Sequence, residues 1–138
     1  MLTKMLMSSG GGSFNPVTLW TNPSPTSDFD PSNTSQNPIT LSQSIENFEY
    51  IKVTYRLSTS DSQEMSIICS INDLKKSLLD STTHVLVLIG GYNVANEAYA
   101  RYVGYVSNTS LRFTYAFRIY GSATSTSYLI PTKVEGLK

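Results

Sequence analysis

The sequence predicts an all-β fold, an antiparallel β-sandwich similar to a jelly roll, with about eight strands. Apolar and polar residues alternate with a period of two along several short segments, as they do in strands with one buried face. Clusters of Gly, Pro, Ser, Asn and Asp separate these segments at the spacing typical of sandwiches and jelly rolls. The 138 residues suit a single domain.

Residues 1–13 have the Gly- and Ser-containing composition of a flexible leader, so we place a single β-sandwich domain at 14–138. The first strand is predicted over 16–21. Its alternation allows two orientations, in which either Val17 and Leu19 or Thr18 and Trp20 face the core.

Residues 22–38 form a long irregular segment. It contains Pro23, Pro25, Pro31 and Pro38, which exclude a central strand. Loops of this length are usually functional or disordered. Phe29 is the residue expected to attach the loop to the body of the domain.

Two strands are predicted at 39–41 and 48–58. The longer one carries four inward-facing residues, Ile51, Val53, Tyr55 and Leu57. Residues 59–62 have the composition of a turn. The next alternating strand is predicted over 65–71, with Cys69 in the inward phase.

Two patterns fit residues 72–80. One is a helical turn near 73–79 with Asn72 or Asp73 as its cap, and the other is an edge strand carrying Leu74 and Leu78. Residues 84–89 are an apolar run, which predicts a strand buried on both faces.

A β-hairpin is predicted between Ala98 and Tyr120, with its turn at 107–110. The second strand alternates, and its inward residues are Leu111, Phe113, Tyr115, Phe117 and Ile119. The register that fits the turn places these inner pairs opposite each other: Val106 and Leu111, Gly104 and Phe113, Tyr102 and Tyr115, Ala100 and Phe117. On the outer face the same register pairs Tyr105 with Arg112 and Tyr99 with Arg118.

The chain is predicted to end with a turn over 121–127 and a closing strand over 128–134. Pro131 interrupts this strand and belongs at a sheet edge or a bulge.

Ten basic and ten acidic residues cancel, and charged residues make up only 14% of the chain. This balance argues against binding to nucleic acid or to an anionic membrane surface, because both require a basic patch. No apolar run is long enough to span a bilayer, and Met1–Met7 is too short for the core of a signal peptide. We therefore expect synthesis in a cytoplasm without export by the usual route.

The sequence predicts no catalytic centre, no metal site and no cofactor. His84 is the only histidine and begins an apolar strand, and Cys69, the only cysteine, is expected to be a small buried residue. One histidine and one cysteine cannot build a structural zinc site. Asp28 and Asp30 could ligate calcium with nearby asparagines, but ordinary Asx turns are favoured.

Tyrosine and arginine form the candidate binding face. The residues assigned to it are Tyr99, Arg101, Tyr105, Arg112, Arg118 and Tyr120, together with Trp20. Cation–π pairs across the hairpin would explain these residues as a solvated face. Alternatively, they form an interaction surface, because tyrosine and arginine are enriched at binding hot spots.

Four stretches carry a resemblance to a known family: MLMSSGGG at 5–12, LWTNPSPTS at 19–27, FEYIKVTYRLSTS at 48–60 and YLIPTKVEGLK at 128–138. With them the chain resembles the small tail-associated or receptor-binding structural proteins of phages and prophages of Gram-positive gut bacteria. The resemblance implies a virion component at the tail tip or fibre, assembled as a homotrimer with other phage tail proteins around it. It also implies a host cell-surface glycan as a candidate ligand.

Three functional hypotheses follow. The first is a non-enzymatic virion structural protein that assembles with other copies and displays loops to a host receptor. The second is a monomeric carbohydrate-binding module, suggested by Trp20 and the outward tyrosines. The third is a glycan-cleaving enzyme, retained only because fold does not determine function.

Overall fold

Two antiparallel sheets form the body of the protein, which confirms the all-β sandwich. The computed structural model describes residues 15–79, 84–91 and 97–138. Within them the strands are β1 (Val17–Thr21), β2 (Ile39–Thr40), β3 (Tyr50–Ser58), β4 (Glu64–Ser70), β5 (Leu86–Gly91), β6 (Ala98–Ser107), β7 (Ser110–Phe113), β8 (Ala116–Arg118), β9 (Thr124–Ser125) and β10 (Tyr128–Leu137). The predicted leader at 1–13 lies outside the described residues.

Sheet 1 has the strand order β1-β10-β3-β4, and sheet 2 has the order β2-β7-β6-β8-β9. β5 pairs with the other edge of β6, with Val87 opposite Tyr102. β7 and β8 pair with the two halves of the same edge of β6, so they behave as one strand that is interrupted at Thr114 and Tyr115.

The core lies between the two sheets. The predicted inward residues of β3, Ile51, Val53, Tyr55 and Leu57, are all buried. β6 of sheet 2 contacts β10 of sheet 1 through Tyr99 and Tyr128, whose rings stack with their centroids 4.0 Å apart. Burial of aliphatic and aromatic side chains between the sheets is the main source of stability for such a fold.

In the described part of the chain, two helical turns interrupt the strands. A 3-10 turn at Ile45–Asn47, capped by Ser44, was not predicted. The helix α1 (Ile71–Leu74) starts earlier than the predicted turn near 73–79, because Ser70 rather than Asn72 or Asp73 is its cap. The Ser70 hydroxyl accepts a hydrogen bond from the Asp73 N–H. One of the backbone donors at the start of the helix therefore has a partner.

The loop at 22–38 is attached to the body at two points. Phe29 is 2% exposed and packs edge-on against Phe113 at 5.4 Å, as predicted. Asn37 continues the ladder of β2 with its side chain: its Oδ1 accepts the Phe113 N–H and its Nδ2 donates to the Phe113 carbonyl. The loop therefore has a defined position relative to sheet 2, because both attachments are to Phe113 of β7.

The prediction that residues 84–89 are buried on both faces is wrong. Leu86 and Leu88 are buried, but Val85 is 38% exposed and Ile89 is 54% exposed. β5 therefore has one buried face, and its other face is apolar and accessible.

The predicted hairpin register is correct at one end and wrong at the other. Tyr99 pairs with Arg118 and Ala100 with Phe117, as predicted. Nearer the turn the pairs are Val103 with Phe113, Gly104 with Arg112 and Tyr105 with Leu111. The predicted pairs Val106–Leu111, Gly104–Phe113, Tyr102–Tyr115 and Tyr105–Arg112 are therefore wrong.

Two β-bulges cause this difference. The register shifts between Tyr105 and Ser107, which leaves Val106 as an extra residue on β6. A second extra residue lies on the opposite strand, because Arg101 alone on β6 faces both Tyr115 and Ala116. A shift of one residue exchanges the two faces of a strand. Ala116 is consequently buried, whereas Tyr115 is 39% and Ile119 is 46% exposed.

A bulge is also the context of Pro131, as predicted. β10 is a central strand of sheet 1, and its register with β3 shifts between Pro131 and Lys133. The strand continues to Leu137, beyond the predicted end at 134.

Candidate functional site

The structure does not assemble the predicted tyrosine and arginine face. The inward phase of β6 consists of its odd-numbered residues, so Tyr99 is 5% exposed and Arg101 is fully buried. The assignment of these two residues to the outer face is wrong, because the bulge at Val106 reverses the phase deduced from the turn.

Arg101 is a buried cation that contacts backbone oxygens. Its Nη1 donates to the carbonyl of Thr114 at 2.7 Å and its Nη2 donates to that of Tyr128 at 2.8 Å. The guanidinium also lies 5.5 Å from the centroid of the Phe29 ring. Burial lowers the pKa of Arg101 to about 9, so the side chain is still protonated at neutral pH. It joins the loop, the β7–β8 bulge and the start of β10.

Arg118 lies beside Tyr99, as predicted, but the contact is a hydrogen bond rather than a ring-face contact. Its Nε donates to the Tyr99 hydroxyl at 3.3 Å, and its Nη2 lies 3.6 Å from a Glu97 carboxylate oxygen. The hydrogen bond with Tyr99, with a smaller contribution from Glu97, raises the pKa of Arg118.

The other predicted site residues are dispersed. Tyr105 is partly buried and donates its hydroxyl to Asn108, whereas Arg112 is exposed opposite Gly104. Tyr120 is 69% exposed in the turn after β8. Trp20 lies on the other sheet, at β1. These four residues do not form one surface.

A different surface covers the outside of sheet 2. Its members lie in the outward phase of β5, β6 and β8, or directly before or after these strands, and none of them carries a charge. They are Val85, Val87, Ile89, Ala100, Tyr102, Phe117 and Ile119. We call these seven residues the outer apolar face. Ile89, Ala100 and Phe117 form one row across three strands, in which Ala100 is only 5% exposed, and Val87 pairs with Tyr102 in the next row.

Aromatic rings make up the centre of the outer apolar face. The His84 ring stacks on Tyr102 with a centroid distance of 3.9 Å, and Tyr102 lies 5.0 Å from Phe117. His84 is thus part of an aromatic row, in agreement with the expectation of a strand-end residue. Alternation alone could not reveal this face, because the bulge at Tyr115 turns Phe117 and Ile119 outward.

A shallow groove continues the outer apolar face toward the 107–110 turn. The groove has a volume of about 310 Å³, and its walls are Leu78, Leu79, Gly104, Tyr105, Val106 and Arg112. The Leu79 side chain lies directly over Gly104, where a Cβ atom would come within 2.4 Å of Leu79 Cγ. We call this feature the Leu79 groove, and Arg112 is its charged residue.

A second candidate site is a pocket beside Trp20. It has a volume of about 270 Å³, and its walls are Trp20, Asn22, Pro23, Phe29, Ser35, Gln36, Pro38, Ile39 and Thr40. None of these residues is charged. We call it the Trp20 pocket.

A bulge in β1 turns Trp20 toward this pocket. The register of β1 against β10 shifts between Thr18 and Trp20, so Trp20 pairs with Val134, which is fully buried. Leu19 is also buried, at 3% exposure. Leu19 and Trp20, which a regular alternation would place on opposite faces, therefore both face the interior side. A bulge changes the direction of side chains in this way.

The polar residues of the Trp20 pocket are held by local hydrogen bonds. Gln36 Oε1 accepts the Asp30 N–H at 3.2 Å, which leaves the amide NH₂ group as a donor. Ser35 donates its hydroxyl to Asn33. Asn22 is held at both ends of its amide, because it donates to the Pro131 carbonyl and accepts from the Ser24 N–H.

The predicted Asx turns are present. Asp30 accepts hydrogen bonds from the N–H and hydroxyl of Ser32, and these bonds lower the pKa of Asp30. Asn33 binds Ser35 in the same way. Within the described residues, no group of three or more His, Cys, Asp or Glu side chains could hold a metal ion.

Cys69 packs against the core from the inward phase of β4, as predicted, but it is only partly buried rather than fully buried. Burial, with a smaller contribution from the Asp73 carboxylate, raises the pKa of the Cys69 thiol to about 11. This is the opposite of the shift that activates a nucleophilic cysteine.

None of the helices in the described segments is both long and apolar enough to cross a membrane. Comparison of the chain with models of protein families, with curated proteins and with solved structures finds no match.

Proposed function

We propose that this chain is a non-enzymatic virion structural protein of a phage or prophage, a tail-tip or fibre domain that associates with other copies of itself. The outer apolar face is the single observation that carries the assembly part of this proposal. The placement in a virion tail is supported by the sequence resemblance.

The outer apolar face is suited to a second copy of the same chain. Identical charged faces would repel each other, but the seven residues of this face are uncharged, with His84 stacked on Tyr102 as an ionisable neighbour. Arg112 stands toward one end, in the Leu79 groove. In a two-fold arrangement with antiparallel strands, the two Arg112 side chains lie at opposite ends of the contact.

The size of the surface indicates reversible association. β6 has ten residues, so the face and the Leu79 groove together extend about 33 Å along the strand and about 14 Å across three strands. This is roughly 450 Å², compared with roughly 800 Å² per partner in a standard stable interface. We therefore expect assembly to increase with concentration, as it would at the high local concentration inside a particle.

Light scattering coupled to size-exclusion chromatography tests the assembly. At tens of micromolar we expect a mass above that of the 15.2 kDa chain, in a dimer or a trimer. Ile89→Glu should return the protein to a monomer, because Ile89 is the most exposed residue of the face, at 54%. A wild-type protein that stays monomeric at this concentration would overturn the proposal.

Ile68→Glu is the matched control. Ile68 is 43% exposed, but it lies on β4 of sheet 1. The two variants introduce the same charge at comparable strand positions on different sheets. Equal loss of assembly in both would indicate a general effect of charge rather than a contact through the outer apolar face.

The position in a particle is tested separately. Antibodies against this chain should label the tails of particles induced from a strain that carries its gene, as seen by immunogold electron microscopy. Purified particles that contain none of the chain by mass spectrometry would contradict a virion role.

A monomeric carbohydrate-binding module is the second candidate, and the Trp20 pocket is the observation that favours it. Its walls combine an indole with uncharged amide and hydroxyl groups. This composition suits a ligand that has apolar ring faces and hydroxyls at its edges.

A further inference from the structure

We infer that the Trp20 pocket binds a single ring of a neutral saccharide, with the indole of Trp20 as its apolar wall and Gln36 and Thr40 as polar contacts. This deepens the glycan-binding part of the proposed function by assigning a ligand class and residues. It does not depend on self-association.

The charge of the pocket selects the ligand class. All nine wall residues are uncharged. An acidic sugar would leave its carboxylate without a cationic partner, which is costly in a site that is partly removed from water. The buried Arg101 cannot serve, because its guanidinium is fully inside the core and contacts backbone carbonyls.

The volume of the pocket limits the ligand size. About 270 Å³ lies below the range of roughly 300–1,000 Å³ found for sites of drug-sized molecules. One sugar ring fits such a space, whereas the remainder of a polysaccharide would extend over the surface. The pocket therefore matches a terminal or protruding residue of a cell-surface chain.

The fold positions the apolar wall. Without the β1 bulge, Trp20 would share the outward phase of Thr18, so the bulge is what directs the indole to the pocket. Phe29, which also contributes to the wall, is fixed by Phe113 and by the Phe29 N–H bond to the Thr126 carbonyl.

The polar contacts are also oriented before any ligand arrives. The backbone N–H of Asp30 donates to the oxygen of the Gln36 amide and fixes that end of the side chain. The NH₂ end is then directed to act as a donor. Thr40 is exposed at the end of β2, where Ile39 is buried. The amide NH₂ group donates hydrogen bonds, and the hydroxyl can donate as well as accept them. These are the groups that a sugar hydroxyl needs.

Fluorescence provides a local readout, because Trp20 is the only tryptophan in the chain. Wild-type protein, diluted below the concentration at which it associates, is titrated with glucose, galactose and N-acetylglucosamine. Sorbitol serves as a control that has hydroxyls but no ring, and glucuronic acid as an acidic one. We expect a saturable change of emission with at least one neutral sugar and none with sorbitol.

Variants locate the contacts. Gln36→Ala and Thr40→Val should each weaken binding about threefold to tenfold, which corresponds to the loss of one hydrogen bond. Thr18→Val is the matched control, because Thr18 is exposed on β1 but does not line the pocket, and it should leave the affinity unchanged. Circular dichroism spectra should be the same for all three variants.

Several outcomes would overturn the inference. They are the absence of any saturable change with the neutral sugars, equal or tighter binding of glucuronic acid, and an equal loss of affinity in Thr18→Val. A saturable response to a proline-rich peptide in place of the sugars would assign the pocket to a peptide ligand. Self-association plays no part in these results, so a failure here leaves the assembly proposal standing, and the reverse also holds.

Discussion

The hydroxyl of Tyr55 closes the free edge of β5 at Ile89. It donates to the Ile89 carbonyl at 2.8 Å and accepts the Ile89 N–H at 3.3 Å. Tyr55 belongs to sheet 1 and Ile89 to sheet 2, so a side chain occupies the position that a neighbouring strand would take. An unpaired strand edge is a site for uncontrolled pairing with other chains. The Tyr55 hydroxyl therefore occupies the two backbone groups of Ile89 that another chain would need in order to pair with β5 at this point.

Removal of this hydroxyl should reopen the edge. We expect Tyr55→Phe to lower the free energy of unfolding by about 1–3 kcal/mol, because both backbone groups of Ile89 lose their partner. We also expect faster aggregation, measured by light scattering. Tyr105→Phe is the control, since its hydroxyl bonds Asn108 in a turn and covers no strand edge. Equal aggregation of the two variants would contradict the role of Tyr55 at the edge.

The β7–β8 bulge predicts different costs for two phenylalanines in one alternating run. Phe113 is 1% exposed in the core, whereas Phe117 lies on the outer apolar face. Phe113→Ala should therefore cost about 3–5 kcal/mol in urea unfolding, and Phe117→Ala less than half of that, both measured on dilute protein. Similar costs at the two positions would mean that the strand does not change face.

Arg101 should be important for stability although it is a lone cation in the core. Arg101→Met removes the donors to the Thr114 and Tyr128 carbonyls, and we expect a loss of about 2–4 kcal/mol. The control is Arg112→Met at an exposed position, which should change stability by less than about 0.5 kcal/mol. An unchanged midpoint of urea unfolding for Arg101→Met would show that these carbonyls do not need the guanidinium.

The Cys69 thiol should react slowly with alkylating reagents. Its pKa is raised from 9.0 to about 11, so at pH 8 the thiolate fraction is about 100-fold lower than in the unfolded chain. Mass spectrometry of iodoacetamide labelling should show this difference between native and urea-unfolded protein. By linkage, the stability contributed by the neutral thiol is present below pH 9 and is lost as the pH rises toward 11. Equal labelling rates at pH 8 would contradict the raised pKa.

The sequence was sufficient for the fold class and for most strands. Alternation identified the inward residues of β3, because that strand pairs with β4 without a shift of register. The proline-rich composition of 22–38 indicated an irregular segment, and the lone phenylalanine within it indicated its attachment to the core.

The faces of sheet 2 could not be predicted, because bulges leave no mark in an alternating pattern. Two extra residues, Val106 on β6 and one at Tyr115 on the opposite strand, shift the register and then restore it. The pairing of Tyr99 with Arg118 is therefore correct, although Tyr99 faces the core. No rule of composition would have placed Arg101 inside, since its partners are backbone carbonyls that become available only where the chain is irregular.

The Trp20 pocket was likewise only partly foreseen. The sequence indicates Trp20 as a candidate but does not indicate its partners Gln36 and Thr40. Gln36 lies near the end of the long loop and Thr40 follows the loop, and nothing in their residue types indicates that they are close to Trp20. A signal was present in the Asx-forming residues of the loop, Asn22, Asp30 and Asn33, which predict a compact segment able to bring distant residues together.

These Asx turns also have a thermodynamic consequence. Because side chains within 22–38 supply its backbone with hydrogen bonds, the rim of the Trp20 pocket is already ordered in the free protein. A ligand then loses little affinity to the entropic cost of freezing a loop. Exchange of Ser35 for another polar residue should accordingly change which molecule is preferred while the backbone path of the rim stays the same, because the bond to Asn33 uses the Ser35 N–H.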